Sequence, residues 1–471
     1  MEHHSSSKPS LPPSPVRNTM AAVLQDYRSG YVAASVLFML WQQYLRLRTR
    51  ARLASPEVSP AVRAAIPDLD DQEHARAAAY SRDKNTAALM MEPISGALGL
   101  ISLWLSPVLW NGSTLVVLST LGLSKDYELV RMLVHLVLVS PWSLATSLPF
   151  SAYRTFVIEA RYGFNKHTVK SWLSDSLKMF FIEELVLNAC MLGPLTLILR
   201  RMGTSAWFYL WAFLSAFVVL LNMLWPIVIA PLFNTFKPLE DGPVRQGIEA
   251  LITQSGIACS CVYEVDGSKQ STHSNAYVAG VLKTKRIVVY DTLIKDLDEK
   301  VDDICAVVAH EIGHSKLHHN VVLMLVMCGQ FFVLFWTFGF CQSDPRLVTD
   351  FGFDEPGTYL TLSTFLLCYS ALVQPIFAIV FNAITRHLEF AADRYSVDLG
   401  FDIRASLAKI SKTNLQNLNP DPLVSMCNDS HPTPVQRLEA VKKLLDEAAR
   451  VTSCTPGERE GTPPRRSKKT D

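Results

Sequence analysis

The sequence predicts a mainly helical, multi-pass membrane protein with seven transmembrane helices, and two observations carry that prediction. The chain has 471 residues, of which 49% are hydrophobic and only 18% are charged, whereas an average globular domain is about 25% charged. Its mean hydropathy is +0.18. The apolar residues are also concentrated into runs long enough to cross a bilayer as a helix, which takes about 20 residues.

The predicted spans are separate apolar runs. The first is the shortest, at 17 residues, and is bounded by Arg28 and Arg46. The last three contain no charged residue. In chain order the seven spans cover residues 29–45, 88–110, 132–150, 179–199, 206–230, 321–342 and 359–385.

Ionisable residues interrupt the second, third and fourth spans. The second contains Glu92, the third His135, and the fourth both Glu183 and Glu184. Because a charged side chain in lipid is costly, the three glutamates are predicted to face a water-filled interior of the helix bundle. Two alternatives stay open, since such side chains can also reach a membrane surface or form ion pairs within the bundle.

The basic residues predict the orientation in the membrane. Loops 46–85 and 154–178 carry eight and five Lys or Arg residues, whereas the three alternate loops together carry five. Lys and Arg collect in cytoplasmic loops. The first, third and fifth loops and the C-terminal region are therefore predicted to be cytosolic.

The overall charge excludes two classes of protein. The chain has 44 basic and 43 acidic residues, a net charge of +1. Nucleic-acid-binding proteins usually show a strongly basic face, so no nucleic-acid partner is expected. Intrinsic disorder of the whole chain requires few apolar residues and much charge, which this composition does not have.

The spans divide the chain into six segments. Residues 231–320 and 386–449 are polar and together large enough for one compact cytosolic domain, which includes a β-like run at Arg286–Tyr290. The two ends are predicted to be disordered tails. The segments are the tail 1–28, spans one to five at 29–230, the loop 231–320, spans six and seven at 321–385, the C-terminal region 386–449 and the tail 450–471.

The sequence His-Glu-Ile-Gly-His at residues 310–314 indicates a catalytic zinc site. Histidines at i and i+4 lie on one face of a helix, where both imidazoles can bind one Zn²⁺ ion. Glu311 then lies beside the open coordination position as a general base. The alternative is a histidine pair on a surface helix without a metal.

A catalytic zinc needs a third protein ligand, and three residues are candidates. His318 and His319 follow the motif directly, but His318 on the same straight helix would lie about 6 Å beyond His314, too far for the same ion. We expect His318 to support a ligand or to be solvated. Glu389 is the better candidate. Asp393, four residues after it, can orient a histidine ligand through its distal nitrogen.

Several further stretches resemble one family, the type I CAAX prenyl endopeptidases, which are membrane-embedded zinc metalloproteases of the HExxH gluzincin type. The histidine motif is followed 75 residues later by Glu-Phe-Ala-Ala-Asp at 389–393. The similarity extends from about residue 29 to 444. It also includes Tyr-Gly-Phe-Asn-Lys at 162–166, Pro-Leu-Phe-Asn from 231, Ser-Asn-Ala-Tyr from 274, the run 285–293 and His431-Pro432 with Arg437.

The resemblance implies both a fold and a reaction. Seven helices would enclose a water-filled chamber, capped by a zincin-like domain with a small β-sheet. The family removes the last three residues of proteins whose CAAX cysteine carries an isoprenoid, so the implied partners are prenylated CAAX C-termini and the lipid bilayer. His310, His314 and Glu389 would bind one Zn²⁺ per chain, with Glu311 as the base.

Three more residues have roles that the sequence leaves open. His431 matches a family position that donates to the oxyanion, or it is a capping or core histidine. Arg437 binds either Asp393 or the substrate carboxylate. Asn275 either bonds the backbone of a substrate added as a β-strand or is a turn asparagine.

The sequence also suggests a cellular location, and it leaves two other functions to consider. Lys468 and Lys469 resemble a retrieval signal of the endoplasmic reticulum, read at a cytosolic C-terminus, although a solvated basic tail is the alternative. The runner-up enzyme is a quality-control protease of misfolded or translocon-stalled membrane proteins, whose relatives have about four spans. A membrane scaffold or transporter with dead chemistry is disfavoured by the complete motif.

Overall fold

The structure is a computed structural model that describes residues 26–54, 57–280 and 285–453. The two predicted tails lie almost entirely outside these residues, as do Lys468 and Lys469. The described part is mainly helical and contains one small sheet, as predicted. The main helices of its N-terminal half are α1 (Tyr27–Arg52), α2 (Pro60–Ala65), α3 (Asp71–Leu115), α4 (Glu128–Tyr153), α5 (Val169–Phe180), α6 (Asn188–Met202) and α7 (Ala206–Leu224).

The C-terminal half alternates between polar and apolar elements. It contains strands β1 (Phe236–Pro238), β2 (Cys259–Val265), β3 (Ala276–Ala279) and β4 (Lys285–Tyr290). Its helices are α8 (Pro243–Ser255), α9 (Asp291–Asp296), α10 (Val301–Lys316), α11 (His319–Cys341), α12 (Arg346–Thr349), α13 (Thr358–Leu372), α14 (Gln374–Asp398), α15 (Arg404–Thr413), α16 (Pro422–Asn428) and α17 (Pro434–Ser453).

Within the described residues, four helices are long and apolar enough to cross a membrane, or five if the bent pair α13 and α14 counts as one span. The predicted number of seven is therefore not confirmed. Two features account for the difference. The first predicted span lies in α1, where Gln42 and Gln43 interrupt the apolar run. The fourth and fifth lie in one helical run of 64 residues, Val169–Leu232.

That run is bent back on itself. Gly203 lies between α6 and α7 with a φ of 55°, a conformation that favours glycine. Buried apolar residues of both helices then pack into one cluster with Phe335 and Phe338 of α11. A straight helix of 64 residues would be about 96 Å long at 1.5 Å per residue, far beyond a bilayer. Two antiparallel spans in this run stay a prediction that the fold supports.

The acidic residues of the spans have different surroundings. Glu92 accepts hydrogen bonds from Arg46 at 2.6 and 3.1 Å, so the ion-pair alternative holds for this residue. Glu184 accepts a bond from Asn188 at 3.2 Å. Glu183 is exposed. A chamber enclosed by seven helices stays a prediction.

The sheet has the order β1-β2-β4-β3. β2 and β4 are parallel, and the outer strands β1 and β3 are antiparallel to their neighbours. Ile287, Val288 and Val289 of β4 are completely buried, as expected for a strand covered on both faces. The sequence predicted this strand correctly. Within the residues that the structure describes, β3 pairs with a strand on one side only and is an edge strand.

The first and third loops pack against the C-terminal region. Val62 and Ile66 of α2 lie in one buried cluster with Leu407 and Leu438. Tyr80 near the start of α3 packs with residues of the third loop and of the C-terminal region in a second cluster. These contacts put three of the predicted cytosolic segments on one side of the protein, although the cytosolic assignment itself stays a prediction.

Candidate active site

Helix α10 carries the histidine motif in a buried position. Nine of its residues are buried, and they include His310, which is 5% exposed. The apolar side chains pack on the sheet and on α8 in the main core cluster. Gly313 sits against Tyr395 of α14, where a Cβ atom would lie only 3.1 Å from the Tyr395 Cβ. A small residue inside the motif therefore lets α14 approach α10 closely.

Helix α14 brings Glu389 to the two histidines. The Nε2 atoms of His310 and His314 are 3.2 Å apart. Glu389 Oε2 lies 3.5 Å from His310 Nε2, and Oε1 lies 3.3 Å from His314 Nε2. One ligand atom from each of the three residues lies within 4.8 Å of the others. The geometry thus converges on one point, as three protein ligands of a metal do.

The burial and hydrogen bonding of the Glu389 carboxylate show whether a metal ion fits this point. Its side chain is only 4% exposed, and its buried Oε2 atom has no hydrogen-bond partner in the structure. His431 Nδ1 lies 3.1 Å from that oxygen, which is ion-pair distance without hydrogen-bond geometry. The two oxygens of this buried carboxylate face the Nε2 atoms of His310 and His314, an arrangement suited to a cation. The residues therefore fit a metal ion with two nitrogen ligands and one carboxylate ligand.

Asp393 and Arg437 hold His310 in its orientation. Asp393 Oδ1 lies 2.9 Å from His310 Nδ1, the nitrogen that faces away from His314. Arg437 on α17 donates from Nε and Nη2 to the two oxygens of Asp393 at 2.8 and 2.6 Å. This fork-to-fork pair uses the guanidinium in its most specific manner. Of the two partners that the sequence left open for Arg437, the structure places Asp393 against it.

His319 supports the other histidine, and the sequence analysis gave it a different role. His318 has a φ of 57°, so α10 ends before it and α11 begins at His319. The break exposes His318 and buries His319 to 3% exposure. His319 Nδ1 then lies 2.9 Å from His314 Nδ1. The expectation of one straight helix was wrong, and only the left-handed backbone of His318, which separates the two helices, reveals the contact.

Glu311 lines a large cavity beside the two histidines. The cavity has a volume of about 1290 Å³, and His310, His314, Glu389 and Arg437 also contribute to its wall. Protein surrounds Glu311 on most sides, but part of the side chain is accessible from the cavity. Burial raises the pKa of Glu311, an effect that the nearby histidines partly offset. A higher pKa makes this carboxylate a stronger acceptor for a proton from water.

His431 projects into the same cavity. Its side chain is 64% exposed, so it is not a core histidine. It is not the helix cap either, because Thr433 Oγ1 accepts from Gln436 N at 3.2 Å and Gln436 Oε1 accepts from Thr433 N at 3.0 Å. This reciprocal pair is a capping box. His431 is thereby held just before α17, accessible to a ligand.

Asn275 precedes the edge strand β3 and also lines the cavity, with Ala276 and Tyr277. Its Oδ1 atom accepts from Ala276 N at 2.9 Å, and its carbonyl accepts from Tyr290 N at 3.1 Å. The turn-like contact and the position on the cavity wall are therefore both present. β3 is an edge strand of the described sheet and shares the cavity wall with α10, and an extended peptide can add to such an edge as a strand.

Comparison with known proteins gives two matching family profiles. Residues 50–235 match the profile described as CAAX prenyl protease N-terminal, five membrane helices. Residues 238–445 match peptidase family M48. Together the two profiles cover most of the chain.

Relatives and a solved structure agree with the profiles. The chain is 34% identical to the CAAX prenyl protease 1 homolog of Arabidopsis thaliana, over 87% of this chain and 96% of that protein. It is 30% identical to CAAX prenyl protease 1 of Saccharomyces cerevisiae, over 89% and 95%. The crystal structure of S. mikatae Ste24p superposes with a TM-score of 0.79 at 29% identity, covering 88% of this chain and 98% of that one.

The fold and the site define a membrane-embedded metallopeptidase, in which a His-Glu-x-x-His helix and a glutamate from a second helix face a large cavity. The chain belongs to peptidase family M48 and, within it, to the CAAX prenyl proteases. The resemblance inferred from the sequence motifs is thereby confirmed.

Proposed function

We propose that this protein is a zinc metalloendopeptidase that removes the C-terminal AAX tripeptide from prenylated CAAX proteins. The observation that carries the proposal is the convergence of His310, His314 and Glu389 on one point of the cavity wall, next to Glu311. Relatives that match over nearly their whole length are named CAAX prenyl proteases. No observation favours a quality-control protease instead.

The proposed division of roles follows from the contacts. His310, His314 and Glu389 would hold one Zn²⁺, which supplies Lewis-acid polarisation of the scissile carbonyl and a lowered pKa of the attacking water. Glu311 accepts the proton of that water and passes it to the nitrogen of the leaving tripeptide. Water adds to the carbonyl carbon, the C–N bond breaks, and the products are a new carboxylate and a free amine.

His431 is proposed to donate a hydrogen bond to the oxygen that becomes negative during attack. Its exposure to the cavity and its distance of 3.1 Å from Glu389 support this role. Arg437 then acts indirectly, by holding Asp393 against His310. Asn275 and the free edge of β3 are proposed to bind the substrate backbone, which supplies affinity with little dependence on side chains.

The location is part of the proposal. A multi-pass protein with its catalytic domain beside the bilayer can meet a substrate whose isoprenoid lies in the membrane. The basic first and third loops support a cytosolic position for this domain. The endoplasmic reticulum is the membrane proposed, with Lys468 and Lys469 as the sequence feature that motivates it.

Peptide cleavage by the purified full-length protein tests the proposed function. Protein reconstituted in lipid should contain about one zinc ion per chain and should release the tripeptide from a farnesylated CAAX peptide. Chelation should stop the release, and Zn²⁺ should restore it. Failure of the metal-replete protein to cleave would refute the function.

Replacing His319 tests the support of the second histidine. When His314 Nε2 faces the metal, its Nδ1–H donates to His319 Nδ1, which sets the tautomer and the ring orientation. His319→Ala is therefore expected to lower zinc affinity by about 10–100-fold, measured by competition with a chelator. The control is His318→Asn at the exposed neighbour, since asparagine tolerates a positive φ. Equal zinc affinity of both variants and the wild type would contradict this role.

A further inference from the structure

The cavity beside the site contains basic residues of two kinds. Two of them are neutralised by carboxylates at 2.6 Å, Arg46 by Glu92 and Arg437 by Asp393. The other two are not neutralised in this manner. The four basic residues on the cavity wall are Arg46, Lys84, Arg154 and Arg437.

Lys84 and Arg154 both lie near the Glu159 carboxylate. Arg154 Nε lies 3.9 Å from Glu159 Oε1, beyond hydrogen-bond distance. Lys84 Nζ lies 4.0 Å from the ring centre of Tyr80 and forms no ion pair within the described residues. The Glu159 carboxylate already accepts from Tyr80 OH at 2.9 Å. Two cations and one engaged carboxylate leave this part of the wall with one unbalanced positive charge.

These cations lie near the start of β3, the strand proposed to bind the substrate backbone. Glu159 Oε2 is 3.6 Å from His273 Nε2, and His273 lies two residues before Asn275. The ring of His273 stacks on Phe164 of the third loop at 4.1 Å. Glu159 therefore connects the two cations to the N-terminal end of β3.

The direction of a bound peptide decides which of its ends reaches this place. Antiparallel strand pairs outnumber parallel ones, and an added strand antiparallel to β3 has its C-terminus beyond the N-terminal end of β3. The substrate ends three residues after the cut, a length of about 10 Å for an extended chain. Its last group is a free carboxylate.

We propose that Lys84 and Arg154 bind the free C-terminal carboxylate of the substrate and so favour the cut that lies three residues before it. The inference rests on the proposed function and adds the specificity of the same site. Capture of a terminal carboxylate is a recurring mode of peptide recognition, and a charge-assisted contact contributes more than a neutral one. An acidic side chain of the substrate could also bind these cations. Only the terminal carboxylate, however, is present in every CAAX substrate.

Two farnesylated peptides that differ only at the last group test the proposal. One ends in a carboxylate and the other in a carboxamide. The wild-type protein in lipid should cleave the carboxylate peptide about 10–100-fold better in kcat/KM, as expected for loss of a hydrogen bond to a charged group. In Lys84→Met and Arg154→Gln the ratio should fall towards one, mainly through a slower reaction of the carboxylate peptide.

The controls separate the possible outcomes. Lys170→Met, at an exposed lysine of α5 away from the cavity wall, should keep the wild-type ratio. Lys84→Arg should restore part of it, and zinc content should match the wild type in each variant that is compared. Equal cleavage of the two peptides by the wild type, or an unchanged ratio in both cavity variants, would overturn the carboxylate site while leaving the proposed function intact. Cleavage of neither peptide would instead refute the proposed function.

Discussion

Glu311→Gln is expected to keep the metal and to lower kcat by about 10²–10⁴-fold, the usual contribution of a general base. The carboxamide has nearly the same shape, but it cannot accept a proton from water. Glu311 lies on the cavity wall beside both histidines, and none of the three atoms that face the metal position belongs to it. Zinc content and affinity for the prenylated peptide should therefore stay near the wild-type values.

A matched substitution controls for charge removal at a distance. Glu249→Gln removes an exposed carboxylate of α8 that pairs with Arg245 at 2.8 Å, and surface pairs of this type contribute little. It should leave kcat unchanged. Wild-type turnover by Glu311→Gln would remove Glu311 as the base.

Glu389→Ala is the substitution with the second large expected effect. It should lower the affinity for the metal and not only the rate of peptide cleavage. Loss of a residue that merely orients a ligand lowers metal affinity by about 10–100-fold, so loss of a direct ligand should cost more than about 100-fold. The variant should also leave the Arg437 Nη1 atom, 3.5 Å from Glu389 Oε2, without its second carboxylate. We expect most of the zinc to be lost on dialysis.

The measurement is zinc content by atomic emission, combined with a chelator competition. Glu439→Ala is the control, because this glutamate is exposed on α17, two residues after Arg437. It should bind zinc as the wild type does. Full zinc occupancy in Glu389→Ala would show that Glu389 is not a ligand of the metal.

The sequence could predict the part of the site whose residues lie close together along the chain. Histidines four residues apart share a helix face wherever the helix lies, so the motif at 310–314 indicates a metal site by itself. Glu389 required more, because 75 residues separate it from His314. On residue chemistry it was already the better candidate beside His318 and His319, and the resemblance to a family strengthened the assignment.

The contacts that the sequence did not reveal depend on tertiary structure. The burial of His319 follows from the positive φ of His318, and no residue type there predicts a helix break. The pairing of Glu92 with Arg46 joins residues 46 positions apart. Glu92, which was predicted to face water, therefore forms an ion pair within the protein. The number of spans also depends on where helices bend, as at Gly203, and hydropathy does not report bends.

The central claim is that this chain cuts prenylated CAAX ends at a zinc site, and one measurement tests it most directly. The metal-replete protein in lipid is given the same CAAX peptide with and without the farnesyl group, and the released fragment is identified by mass spectrometry. We predict release of the C-terminal tripeptide from the farnesylated peptide, with much slower release from the unmodified one. Cleavage of both peptides at equal rates, or at scattered positions, would contradict the claim and indicate general proteolysis.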